Sequence, residues 1–320
     1  MIVRWGLEEL YGLLGELGIE RPFLVASDRW SDLDLPANAR WNEVPTDRLD
    51  DVAAAARGSD GILAVGGGSA IDLAKAVSAA TSLPLVSLPT TYSGAEWTEF
   101  FGVRDPSRRM KGGGGGAYLA GVVYEPKLTL ELPRAESGGT AMNALAHCAE
   151  ALYVAGRNAV GDEHAIEGAR LIGGSLPAVL ADGADLGPRT TLLRGALYAG
   201  AALAAAGLGL GHAMAQAVGG RYGIPHGAAN ALCLPPALRF NEPVAAKEID
   251  RFGDALGTDE AAGRCVELSR LAGYERLRDL GVPEDELDEV AEATAVRPGA
   301  LANPRQASPA EIAELFRSIW

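Results

Sequence analysis

The run Gly61-Ile62-Leu63-Ala64-Val65 leads directly into Gly66-Gly67-Gly68-Ser69 and on to Ala70-Ile71-Asp72-Leu73-Ala74-Lys75. A short apolar strand, a glycine corner and an amphipathic helix in that order commit this part of the chain to an α/β arrangement. Three consecutive glycines let the backbone turn tightly and approach a ligand with no Cβ in the way. Ser69 is a good N-cap for a predicted helix 69–80. The free amides and positive dipole end of that helix then point at an anion, with Asp72 and Lys75 in reach of it. The segment is neither Gly-x-Gly-x-x-Gly nor a Walker loop, so spacing alone leaves open a phosphate corner and a plain strand-to-helix turn.

Strand and helix signals alternate through the first part: helix 7–17, strand 22–27, helix 49–57, strand 61–65, helix 69–80 and strand 84–88. That alternation predicts a doubly wound parallel sheet. Further strands at 100–104 and 121–124 flank a loop containing five successive glycines, 112–116, which reads as a flexible turn or a flap. From 137 onward the strand signals vanish and helical periodicity takes over, at 140–154, 163–181, 189–206, 211–219 and 227–240. The expected domains are therefore 1–136, an α/β dinucleotide-binding domain, and 137–320, a helical catalytic domain, with the active site in the cleft between them.

With 48% hydrophobic residues in 320, the chain can bury a sizeable core. Its net charge of −14 argues against a nucleic-acid partner held through phosphates, but a local basic pocket can still take a small anionic substrate. Cys148, Cys233 and Cys265 are widely spaced and form no Cys-x-x-Cys pair, which points to buried thiols in a reducing, cytoplasmic compartment. No signal-peptide pattern opens the chain. The alanine-rich stretch 195–210 is too short for a bilayer and reads as a core helix, so no membrane partner is expected.

Gly-Gly-Gly-Ser-x-x-Asp-x-Ala-Lys at 66–75 and Leu88-Pro89-Thr90-Thr91-Tyr92-Ser93-Gly94-Ala95-Glu96 resemble two motifs of the iron-containing alcohol dehydrogenase superfamily. The chain is most similar to its maleylacetate reductase branch. That likeness runs through Leu128-Thr129-Leu130-Glu131-Leu132-Pro133, Asn143-Ala144-Leu145-Ala146-His147, Gly219-Gly220 and Asn303-Pro304-Arg305. The resemblance implies a dehydroquinate synthase-like fold, with an α/β nucleotide domain and an all-α domain. It also implies an NAD(H) cofactor and a homodimer.

Asp28 ends the strand 22–27, where a carboxylate accepts from a ribose diol and repels a 2′-phosphate, favouring NAD(H). Gly67, Gly68 and Ser69 are expected to face the pyrophosphate, with Asp72 nearby. Thr90, Thr91 and Ser93 follow another strand end, where ligands of such sheets bind. Lys111 resembles a lysine that reaches a ribose hydroxyl in relatives.

Asn143 and His147 are four apart and share a helix face; His212 and Gln216 repeat that spacing, and His226 lies in Pro225-His226-Gly227. In metal-dependent relatives the four ligand positions are Asp, His, His and His. They map here onto Asn143, His147, His212 and His226. A neutral amide gives a cation no charge compensation, and its oxygen is a poorer donor than a carboxylate. Three histidines plus water can still hold zinc. Maleylacetate reductases carry Asn at this position and are considered metal-independent, so metal-free chemistry is favoured over Fe or Zn at His147, His212 and His226. Without a metal, a protonated His, an amide or an Arg must hold the charge that builds on the substrate oxygen, and a His can deliver the proton. His147, His212 and His226 are the catalytic candidates, with Asn143 as orienting donor. Arg221 and Arg239 are candidate carboxylate clamps, and His164 reads as structural.

Two departures bear on the substrate. Gly211-His212-Ala213 stands where maleylacetate reductases show His-His-Lys, and Gln216 stands where much of the superfamily has a second His. The expected function is a maleylacetate reductase-like NAD(H) oxidoreductase that transfers hydride to a polarised C=C or C=O of a small oxo acid. A metal-dependent alcohol dehydrogenase and a repurposed non-redox scaffold (a lyase, a cyclase or a nucleotide-binding non-enzyme) are the alternatives.

Overall fold

The computed structural model describes residues 1–105 and 110–320, with side chains described outside 103–112. Two compact units result: Met1–Thr91 with Ala95–Glu131, and Tyr92–Gly94 with Leu132–Trp320.

The first unit contains the strands β1 (Ile2–Trp5), β2 (Pro22–Ala26), β3 (Ala39–Trp41), β4 (Gly61–Gly66), β5 (Leu85–Pro89), β6 (Phe101–Asp105), β7 (Met110–Gly114) and β8 (Leu119–Tyr124). Six of them form one all-parallel sheet in the order β1-β8-β5-β4-β2-β3. Its helices are α1 (Leu10–Glu16), α2 (Leu49–Ala55) and α3 (Gly68–Thr81). Alternate residues of β4 feed opposite cores. Leu63 and Val65 pack with Leu10 and Leu13 of α1, whereas Ile62 and Ala64 pack with Ile71 and Val77 of α3. Cover on both faces is what a continuous apolar strand requires.

β1 and β3 escape the sequence reading because both are short edge strands without a fully buried face. The strand expected at 100–104 does form, but outside the parallel sheet, as an antiparallel hairpin of β6 with β7. The glycine run is therefore partly strand rather than wholly a loop. Gly114 lies opposite Phe101, and a Cβ there would sit 2.5 Å from the phenyl Cζ, so a side chain at this position would have to push the ring aside.

The second unit is helical: α4 (Arg134–Ala151), α5 (Ala159–Ala181), α6 (Leu186–Ala206), α7 (Leu210–Tyr222), α8 (His226–Leu256), α9 (Ala261–Leu271), α10 (Leu287–Ala295), α11 (Pro298–Leu301) and α12 (Pro309–Ser318). α8 bends at Ala245, two residues after Pro243, where the proline ring and its missing N–H interrupt the helical bonds. Among the described residues no single helix is long and apolar enough to cross a membrane. All three cysteines are free and buried.

Candidate functional site

The glycine corner is built at the carboxyl ends of β4 and β5. Gly66 adopts φ 150°, and α3 starts two residues later with Gly67, not Ser69, as its N-cap. Ser69 lies exposed in the first turn, and no side chain caps the leading amides. The Thr90 amide donates to Gly66 O at 3.0 Å and ties the two strand ends together. A Cβ on Gly67 would lie 2.7 Å from Thr91 Cγ2, so glycine is what lets Thr91 rest against the corner. Thr91 Oγ1 is buried there without a partner, and Thr90 is buried beside it. Uncapped amides next to an unpartnered hydroxyl fit an anionic group such as a pyrophosphate. Asp28 is exposed just beyond β2 and accepts from Asn42 Nδ2 at 2.8 Å.

Asp72 is less available. One oxygen pairs with Lys75 Nζ at 2.9 Å and the other accepts from the Gly102 amide at 3.0 Å. Lys75 is 1% exposed and also donates to the carbonyls of Ala95 and Phe100. The side chain of Lys111 lies outside the described residues. Glu96 accepts from the Tyr124 hydroxyl at 2.7 Å, and Trp97 Nε1 donates to that hydroxyl. The second Glu96 oxygen is buried and unpartnered, and burial raises the carboxyl pKa above its ordinary value.

In the helical unit, α4 carries Asn143, His147 and Glu150 on one face, at spacings of four and three. The start of α8 crosses α4 closely. A Cβ on Gly227 would lie 2.4 Å from the carbonyl carbon of Gly139, so glycines at this crossing bring the next turns together. One turn on, Asn230 Nδ2 donates to Asn143 Oδ1 at 2.8 Å and to His226 O at 3.2 Å. Asn143 Nδ2 donates to Ser93 O at 3.0 Å and stands 3.5 Å from His147 Nε2.

His147 and His212 stack with ring centroids 4.7 Å apart and an interplanar angle of 13°. His226 follows at 5.8 Å from His212. The three rings thus run from the interior outward, since His147 and His212 are buried and His226, the first residue of α8, is exposed. His147 Nδ1, His212 Nε2, Ser93 Oγ and Asn230 Oδ1 are buried without partners. Burial, reinforced by His212 and His226, holds the pKa of His147 well below the usual imidazole value.

Iron, which the resemblance implies for metal-dependent relatives, would find no free carboxylate among these residues. Among the described residues no three His, Cys, Asp or Glu side chains assemble as a cation site, and the histidine trio is not one. Asn143 Oδ1 is taken by Asn230, and the carboxylate at hand, Glu150, is bonded to the backbone amides of Gly209 and His212 and to His212 Nδ1.

The proposed carboxylate clamps lie elsewhere. Arg221 is bound to Glu286 and Glu289, each at 2.7 Å, and Arg239 is exposed on α8. His164 makes a ring contact with Tyr198, in keeping with a structural role. Glu150 and Asn230 are the residues that sequence reasoning passed over. For Glu150 a signal exists: a carboxylate inside Cys148-Ala149-Glu150-Ala151-Leu152, one turn from His147, must find donors if that apolar stretch is buried.

Comparison with known proteins follows the same line. Residues 6–119 match the profile of the iron-containing alcohol dehydrogenases, and residues 138–320 match the C-terminal profile of the Fe-containing alcohol dehydrogenase family. The maleylacetate reductase of Burkholderia cepacia is 36% identical over 249 residues, 78% of this chain and 70% of that protein. The maleylacetate reductase of Sphingobium indicum is 35% identical over 276 residues, 85% of this chain and 78% of that protein. The crystal structure of maleylacetate reductase from Agrobacterium tumefaciens superimposes with a TM-score of 0.90 at 28% identity, covering 100% of this chain and 95% of that one.

Proposed function

The chain belongs to the iron-containing alcohol dehydrogenase family, and on that premise we propose that it is a maleylacetate reductase-like NAD(H) oxidoreductase that reduces a polarised C=C or C=O of a small oxo acid without a metal. The observation that carries this reading is the stacked pair His147 and His212, each with one ring nitrogen buried and unpartnered, beside an amide rather than a carboxylate at position 143.

Gly67, Gly68 and Ser69 would hold the pyrophosphate through the first amides of α3, with Thr90, Thr91 and Ser93 contributing hydroxyls. Asp28 would accept from the ribose diol and disfavour a 2′-phosphate. The reduced nicotinamide supplies a hydride when bound. As the electrophilic carbon takes that electron pair, the π electrons of the substrate move onto its oxygen, and the addition is completed by one proton. A ring N–H of the histidine cluster stabilises the oxygen and a histidine delivers the proton, while Asn143, locked by Ser93 and Asn230, holds His147 in place.

The test follows NADH absorbance with maleylacetate and a panel of small oxo acids, with and without a chelator. Turnover that prefers NADH over NADPH and survives the chelator is expected. Turnover lost on chelation and restored by iron or zinc would move the protein to metal-dependent alcohol dehydrogenase chemistry. Nucleotide binding with no turnover on any member would sink the redox reading.

A further inference from the structure

We propose that Glu150 is a positioning residue that fixes the ring of His212 with a proton on Nδ1 and so presents the opposite nitrogen, Nε2, to the substrate oxygen; this rests on the oxidoreductase reading above. Glu150 is fully buried on α4. Its Oε2 accepts from the Gly209 amide at 2.7 Å and from His212 Nδ1 at 2.7 Å, and its Oε1 accepts from the His212 amide at 3.1 Å. A carboxylate accepting hydrogen bonds has nothing to donate, so the His212 nitrogen that faces it must carry the hydrogen.

The surroundings are shaped for this contact. Gly209 is the N-cap of α7 and lacks a capping side chain. Glu150 reaches in from another helix, 62 residues before His212, and takes amides that a local cap would take. A Cβ on Gly209 would lie 3.1 Å from Glu150 Oε1, and one on Gly211 would lie 3.0 Å from it, so the two glycines leave room for the carboxylate. His147 stacks against the His212 ring. With Nδ1 bonded and one face covered, the ring has little freedom to turn. Nε2, buried and without a protein partner, is the atom left over for a ligand. In the reduction His212 first takes up a proton from solvent at Nε2 and passes it to the substrate oxygen as the hydride adds, while the Nδ1 proton stays on the ring, hydrogen-bonded to Glu150, which neither gains nor loses one.

The test is ¹⁵N NMR of histidine-labelled protein, with a His212→Gln variant to assign the His212 signals, combined with kinetics of Glu150→Gln and Glu150→Asp. The Nδ1 of His212 is expected to be protonated in the unmodified chain. Glu150→Gln, which puts an amide N–H against donors, should populate the other tautomer. It should also lower kcat about 10–100-fold, the loss typical of partners that orient a functional histidine, with KM for NADH unchanged. Glu150→Asp keeps an acceptor-only group and should recover part of the loss. A bare Nδ1 on His212 in the unmodified chain overturns the proposal, as does full kcat in Glu150→Gln. If neither variant folds, the spectrum of the unmodified chain decides. A protein that binds NADH but turns nothing over counts against the oxidoreductase reading, while the spectrum still decides the role of Glu150.

Discussion

Lys75 and Glu150, a buried ionic side chain from each unit, are satisfied in opposite ways. Lys75 of the sheet unit, 1% exposed, spends its donors on Asp72 three residues earlier and on two backbone carbonyls. Glu150 of the helical unit, fully buried, is equally well bonded, but one of its donors is a histidine whose second nitrogen has no partner. A buried network that closes on itself holds the fold. One that closes except for a single aimed atom holds the fold and offers that atom to a ligand. Burial and charge alone do not separate the two; the atoms left over do.

The sharpest way to break this contrast is to remove the histidine at the open end. His212→Ala should lower kcat by about 10²–10⁴-fold, the range of general acid–base groups, with the Kd for NADH unchanged by titration. An equal loss of nucleotide affinity would erase the distinction. The closed end should answer in stability instead. Lys75→Met leaves Asp72 without its cation and should cost about 3 kcal/mol in chemical denaturation, with kcat of the folded protein retained. If kcat falls and stability does not, Lys75 belongs to the chemistry.

Acid sharpens the comparison further. The folded-state pKa of His147 is depressed below 6.5, so the unfolded chain binds a proton that the folded ring refuses. The contribution is fully present above about pH 6.5 and is lost as pH falls towards the folded pKa, by up to about 1.4 kcal/mol per pH unit. Denaturation midpoints from pH 8 to pH 5 should show this slope in the unmodified chain relative to His147→Gln, and parallel profiles would remove the assignment. The smallest effect is expected at the rim of the sheet unit. Asp28→Ala should shift the NADH to NADPH ratio of kcat/KM towards NADPH by about tenfold, equivalent to about 1.4 kcal/mol. An unchanged ratio would take Asp28 out of cofactor selection.

Much of the sheet unit is legible in the sequence because its information is local. The run 61–75 states strand, turn and helix in order, and only the cap is misread: with Gly67 extended against Thr91, the helix begins one residue before Ser69. The hairpin of β6 and β7 is less legible, because a glycine run carries no side-chain pattern from which to read a strand. In the helical unit the resemblance to metal-dependent relatives singles out Asn143, His147, His212 and His226, and the structure brings these four close together. It does not reveal what holds them. Glu150 meets His212 across 62 positions, Asn230 meets Asn143 across 87, and the Gly139–Gly227 crossing that brings the turns together has no local signature. Arg221 shows the converse, since a basic residue near a motif looks available until Glu286 and Glu289 occupy it.

The cysteines make the helical unit its own reporter. Cys148 directly follows His147 on α4, and its sulfur lies 2.8 Å from where a Cβ on Gly168 of α5 would sit. Burial pushes its thiol well above the ordinary range, as it does that of Cys233 on α8, while Cys265 on α9 is pushed up to about 12. Only a thiolate reacts with an alkylating reagent. Each cysteine is therefore silent until its helix parts from its neighbours, and the three alkylation rates become separate clocks for the opening of α4, α8 and α9. The Cys148 clock ticks one residue from the stacked histidines. It would time how often the helix that carries them lets go, and show whether a bound nucleotide slows it.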